Sequence, residues 1–153
     1  TTLSHNNHHL EPTTPRFLPD PAGSQRGVML QRERAPRADE IGIDQSDGIR
    51  LIDAGSNFES VHCPTCRRKI ELEWWHDCMD RDSDGESFRL ATHAAPCCHA
   101  LHSLDQFVYD WPQAFGRFAL VAMNPNIGRV DDKLKADVEA ALGTKVVVVY
   151  RHI

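Results

Sequence analysis

Four of the five cysteines fall in two short groups, Cys63-Pro-Thr-Cys66 and, after thirty intervening residues, the adjacent Cys97-Cys98. A Cys-x-x-Cys turn aims two thiolates at one point, and a second pair supplies the remaining corners of a tetrahedron. The spacing predicts a closed structural Zn2+ site formed by Cys63, Cys66, Cys97 and Cys98, with no vertex left for water. Paired ligands are usually separated by two or more residues, so neighbouring cysteines must splay their side chains. His93, His99, His102 and Cys78 are therefore the alternative sources of the fourth ligand. A structural zinc contributes on the order of 10–16 kcal/mol in small modules, against a net stability of about 5–15 kcal/mol for an ordinary domain. Such a site would decide whether its half of the chain folds.

The odd cysteine count and the adjacent pair argue against a disulfide framework and for thiolates on a metal in a reducing compartment. The first residues, Thr-Thr-Leu-Ser-His-Asn-Asn-His-His, lack the basic start and apolar stretch of a secretion signal, and the chain reads as cytoplasmic. No apolar run approaches the ~20 residues that span a bilayer. The net charge is −5. Residues 1–40 carry five basic and five acidic groups, whereas residues 41–153 carry twelve and seventeen. An acidic folded part lacks the attraction for phosphate on which nucleic-acid binders rely.

Residues 1–40 read as a disordered or partner-docking tail, because Pro12, Pro15, Pro19, Pro21 and Pro36 interrupt regular structure and large apolar groups are few. Within it, Gly27–Gln31 is the one stretch able to dock as an edge strand. The folded domain is expected over residues 41–153. Ile49–Asp53 and Phe58–His62 read as strands, the second running into Cys63. Ile70, Leu72 and Trp74 alternate as on a strand, while Leu72, Trp75, His76 and Met79 satisfy helical spacing. Phe88–Thr92 and Leu104–Tyr109 read as strands on either side of Cys97-Cys98. Further on, Phe115–Met123 reads as an apolar strand, and Val130, Leu134, Val138 and Leu142 mark one stripe of a helix. Asp131 or Asp132 is placed to cap that helix, and Gly143 to end it. Val146–Tyr150, apolar on both faces, reads as an interior strand. Strand, helix and strand predict a right-handed crossover with parallel strands. The fold class is α+β: a zinc ribbon of antiparallel strands joined to a C-terminal strand–helix–strand unit in one mixed sheet.

Competing chemistries have weaker warrants. Cys63-Pro-Thr-Cys66 would serve as a redox dithiol at a helix N-terminus, but Ile-Glu-Leu-Glu-Trp follows it and the second cysteine pair would have no role. Asp80-x-Asp82-x-Asp84-Gly85 opens like a calcium loop, yet the twelfth position is Ala91, so an exposed acidic turn is the default. Cys78 beside His76 and Asp77 is a cluster in sequence alone, and nucleophilic sites draw their groups from separate elements. A catalytic zinc with one open position and mixed Cys and His ligands is the enzymatic alternative. Arg67, Arg68 and Lys69 at the knuckle carry the nucleic-acid alternative. Core packing is the default for the aromatic residues. Two adjacent tryptophans on a strand cannot both face inward, so Trp75, together with Trp111 and Tyr109, stands as an anchor for a protein partner.

Cys63-Pro-Thr-Cys66, Pro96-Cys-Cys98, Tyr109-Asp-Trp-Pro112, Phe115-Gly-Arg-Phe118 and Asn124-Pro125 together resemble a group of small bacterial zinc-ribbon-like proteins of unknown function. The resemblance covers roughly residues 50–153 and implies a metal-binding α/β domain from a bacterium. Relatives often carry glycine after the second cysteine pair where this chain has His99, which brings His99 forward as a ligand or a neighbour of one. The function expected is a zinc-stabilised intracellular protein-interaction module, of adaptor or immunity type, without catalysis of its own.

Overall fold

The structure, a computed structural model, describes residues 5–153. In chain order it contains β1 (Asn6–Pro12), α1 (Pro21–Arg34), β2 (Glu40–Ile52), β3 (Ser60–His62), β4 (Lys69–Ile70), α2 (Leu72–Asp82), β5 (His93–Ala94), β6 (Leu101–His102), a 3-10 turn (Leu104–Gln106), β7 (Val108–Asp110), β8 (Ala114–Met123), α3 (Asp132–Leu142) and β9 (Val146–His152). The mixed α+β class is as expected.

The main sheet has the order β2-β8-β1-β9, with every neighbouring pair antiparallel. The chain path β1-α1-β2 followed by β8-α3-β9 is the split βαβ arrangement of ferredoxin-like domains, with residues 53–113 inserted where β2 would otherwise turn into β8. The strands flanking α3 do run parallel to each other, but β1 lies between them and pairs with both. Among the described residues there is thus no parallel ladder, and β9 is an edge strand rather than an interior one. Its valines are apolar on both faces because each face is covered: Val146 joins the helix-side core with Leu134, Val138 and Leu142, while Val149 packs with Ile52 and Ala114.

The disordered-tail reading does not hold for residues 5–40. Of the five prolines that argued for disorder, Pro12 ends β1, Pro21 opens α1 and Pro36 follows its end, while Pro15 and Pro19 lie in the connection between β1 and α1. At the start of α1 the Asp20 carboxylate accepts the Gly23 amide at 2.6 Å, and Pro21 occupies the first turn, where a missing N–H costs nothing. The Gly27–Gln31 stretch is helical, not an edge strand. α1 packs through small side chains: a Cβ on Gly27 would lie 2.6 Å from Leu120 Cδ1. Residues 1–4 of the expected tail lie outside the described residues.

The insertion forms its own sheets, β4-β3-β7 and β5-β6, so the expected single mixed sheet is replaced by three. A second core of Val61, Ile70, Trp75, Cys78, Leu104, Phe107 and Tyr109 reaches the main sheet through Ile49 and Phe115. The ambiguous stretch after Ile70 resolves into α2, which buries Trp75 and Cys78. Of the strands expected beside the second cysteine pair, Phe88–Thr92 is mostly irregular, and Leu104–Tyr109 splits into the 3-10 turn and β7. α3 has the caps its sequence predicts: Asp131 accepts the Leu134 amide at 2.7 Å, and Gly143 ends the helix at φ 78°. Among the described residues no helix is long and apolar enough to cross a membrane.

Candidate metal centre

Two short hairpins carry the cysteines. Between β3 and β4, the Cys63 amide donates to the Arg68 carbonyl at 2.9 Å and the Arg67 amide to the Cys63 carbonyl at 3.0 Å. Between β5 and β6, the Ala95 amide donates to the Ala100 carbonyl at 2.9 Å and the His99 amide to the Ala95 carbonyl at 2.8 Å. The fifth residue of each turn is left-handed, Arg67 at φ 66° and His99 at φ 64°. The turns therefore correspond position by position: Cys63 with Ala95, Pro64 with Pro96, Thr65 with Cys97, Cys66 with Cys98, Arg67 with His99.

That correspondence explains the adjacent cysteines. The second turn has Ala95, fully buried, at the place that Cys63 holds in the first. Its missing sulfur is supplied two positions later by Cys97, from the place that Thr65 fills in the first turn. All four Sγ atoms lie within 4.8 Å of one another, with Cys63 and Cys98 3.7 Å apart and Cys66 and Cys97 3.2 Å apart. A tetrahedron built on 2.3 Å zinc–sulfur bonds has edges of about 3.8 Å. The residues present fit a metal ion held by sulfur alone.

Burial opposes ionisation of Cys63, but hydrogen bonds from the Cys66 and Thr65 amides outweigh it and bring the thiol down to about 6. The Cys66 sulfur, and then burial, push Cys97 up to about 12. Without a cation the cluster thus favours one thiolate and resists the next. A divalent ion reverses that preference, because it binds the deprotonated form of each ligand.

The alternative ligands lie outside the sulfur cluster. His93 Nε2 stands 3.5 Å from the buried Asp82 carboxylate, and His93 pairs across the hairpin with His102. His102 Nε2 bonds the Thr65 hydroxyl at 2.7 Å, tying the second hairpin to the first turn. His99 is exposed. Cys78 is buried in α2, where its sulfur accepts from Arg81 at 3.1 Å and burial pushes its thiol up. His76 and Asp77 on the same helix are exposed, so the local Cys78 cluster is divided between the core and the surface.

Other expectations fail for physical reasons. Cys63-Pro-Thr-Cys66 caps a strand hairpin and not a helix, which removes the setting a redox dithiol needs. The acidic run is divided: Asp80, Asp84 and Glu86 are exposed, as the default reading had it, whereas Asp82 turns into the fold. Asp82, 2% exposed, accepts the Leu90 and Ala91 amides at 2.8 and 2.9 Å, and Asp84 accepts those of Glu86 and Ser87. Trp75 and Tyr109 are core residues at 5% and 7% exposure, joined by a bond from the indole N–H to the phenol oxygen, and are not partner anchors. Trp111 is half-buried beside Tyr150. Arg67, Arg68 and Lys69 are exposed, with the equally exposed Glu71 and Glu73 close behind them in sequence.

One constellation had no sequence signal, because it depends on strand register. Ser60 pairs with Asp110 across β3 and β7. The Ser60 hydroxyl donates to Asp110 Oδ2 at 2.6 Å, and His62 Nε2 lies 3.0 Å from the same oxygen. The hydroxyl proton points at the carboxylate rather than the imidazole, so the trio pins β3 to β7 beside Cys63 and is not arranged as a nucleophile with its base.

Comparison with family models, with curated proteins and with solved structures finds no match to this chain.

Proposed function

We propose that the chain is a zinc-stabilised protein-interaction module in which the metal is structural. The observation that carries this reading is the convergence of four sulfurs from two hairpins within 4.8 Å. An all-thiolate donor set suits zinc, and four protein ligands leave no coordination position for a reacting water. The titratable neighbours are already engaged, His102 with Thr65 and His62 with Asp110. The resemblance of the cysteine-bearing motifs to bacterial zinc-ribbon-like proteins points the same way.

An interaction role is favoured by what the inserted segment leaves in solvent. Leu72, Leu101 and Val108 are exposed there at 37%, 65% and 36%. Exposed apolar side chains on an acidic chain suit a protein partner better than nucleic acid. The test is affinity capture from the native host, with the zinc-loaded chain and its Cys66→Ser variant run side by side. A partner retained in stoichiometric amount by the first and lost by the second supports the reading. A zinc-loaded chain that retains no protein contradicts it.

A further inference from the structure

We propose that the cleft at the far end of β1 and β9 is a binding site for a mononucleotide, a flat ring carrying a phosphate group. The cleft encloses about 340 Å³ between β1, β9, Trp111 and the loop 124–129. That lies at the lower end of the roughly 300–1,000 Å³ typical of small-molecule sites, room for one nucleotide and not for two.

The lining is specific in its chemistry. Trp111 and Tyr150 form an aromatic corner, their rings 6.4 Å apart at 81°. The Tyr150 hydroxyl accepts the Val130 amide at 3.0 Å, which fixes the ring and leaves its proton free to donate. Two arginines, Arg129 and Arg151, line the same space. Arg129 is exposed and takes part in none of the ion pairs among the described residues. Arg151 stands 3.4 Å from Asp53, with its Nε unpartnered by any hydrogen bond. Asn7 lines the cleft at 8% exposure with its side-chain oxygen unpartnered. A buried carboxamide without a partner is costly unless something bonds it.

The wall facing β9 carries hydrogen bonds of its own. Asn124 and Asn126 hold left-handed backbone at φ 46° and 58°. The Asn126 side-chain Nδ2 donates to the Asn124 carbonyl at 2.9 Å, and the Asn124 Nδ2 donates to the Asp39 carboxylate at 2.8 Å. Guanidinium forks recognise phosphate, aromatic faces stack on bases, and carboxamides read base or sugar edges. A bare anion would use the arginines and leave the aromatic corner idle. An uncharged aromatic would leave the Arg129 cation unmatched.

The test titrates the zinc-loaded 153-residue chain with AMP and GMP, and separately with adenosine, guanosine and inorganic phosphate, following heat and tryptophan emission. At least one nucleotide is expected to saturate below millimolar concentration, ~10-fold or more tighter than its nucleoside or phosphate. Arg129→Ala, at an exposed position, is expected to weaken that binding by about 10–100-fold, and Trp111→Leu to weaken it as well, with zinc content unchanged. Three results overturn the proposal: no saturation by either nucleotide at millimolar concentration, equal binding of phosphate alone, or binding indifferent to Arg129→Ala. Zinc measured on the same samples separates each of these from a failure of the metal reading.

Discussion

Ala95 is the residue at which the two cysteine turns part company. It makes the same backbone bonds as Cys63, yet it has no sulfur, and Cys97 compensates from a position that is Thr65 in the other turn. If the turns are equivalent scaffolds, the ligand can be moved back. Cys97→Thr alone should abolish tight zinc binding, because three sulfurs leave the tetrahedron open. Adding Ala95→Cys should restore affinity to within about tenfold of the parent, a difference of about 1.4 kcal/mol, measured by competition with a chromophoric chelator. Failure of the double variant to recover zinc would show that the second turn is not a displaced copy of the first. The signal for this displacement is present in the sequence, in the alignment of Pro64-Thr-Cys66 with Pro96-Cys-Cys98. Counting cysteines alone does not reveal it, since adjacency hides which of the two is out of place.

At the scale of elements, β1 is the part that sequence patterns conceal most. It alternates, but with polar groups on the face away from the helices: Asn7, His9 and Glu11 are 8%, 6% and 0% exposed. Such a strand looks like a soluble tail until its partners β8 and β9 are known. Burial pushes the Glu11 carboxyl up to about 8, with Arg50 opposing and Asp44 reinforcing the shift, and Gly116 makes room for it, since a Cβ there would lie 2.3 Å from Glu11 Oε1. Burial and Arg151 draw His9 down to about 4. The signs follow from which form the fold excludes. Between pH 4.5 and 8 the unfolded chain ionises Glu11 and the folded chain does not, so its contribution to stability falls as pH rises. Between pH 6.5 and 4 the unfolded chain protonates His9 and the folded chain does not, so that contribution falls as pH drops. Glu11→Gln should remove the first slope. In urea titrations of zinc-saturated protein the variant should gain on the order of 3 kcal/mol over the parent between pH 5 and pH 8. An unchanged difference across that range would show that Glu11 ionises normally in the fold. α1 escapes the same kind of reading because it buries Gly23, Ser24, Gly27 and Gln31 with a single valine. α3 is legible by contrast, with a four-residue apolar stripe and both caps written in the chain.

For the molecule as a whole, the sequence shows a cysteine-bearing half and a strand–helix–strand half but not how they interlock. Position along the chain misleads here. β1 and α1 fold with the last forty residues, and the cysteine hairpins are inserted between β2 and β8, each half keeping its own core. The split βαβ sheet has continuous apolar packing of its own, whereas β3–β4 and β5–β6 are two- and three-residue strands whose turns a cross-link would hold in place. The central claim is that one zinc ion on Cys63, Cys66, Cys97 and Cys98 provides it. X-ray absorption at the zinc edge, on purified chain of measured metal content, addresses that claim most directly. One zinc per chain with four sulfur neighbours at about 2.3 Å is the predicted result. Absence of zinc, or a first shell containing nitrogen or oxygen in place of a sulfur, would contradict it.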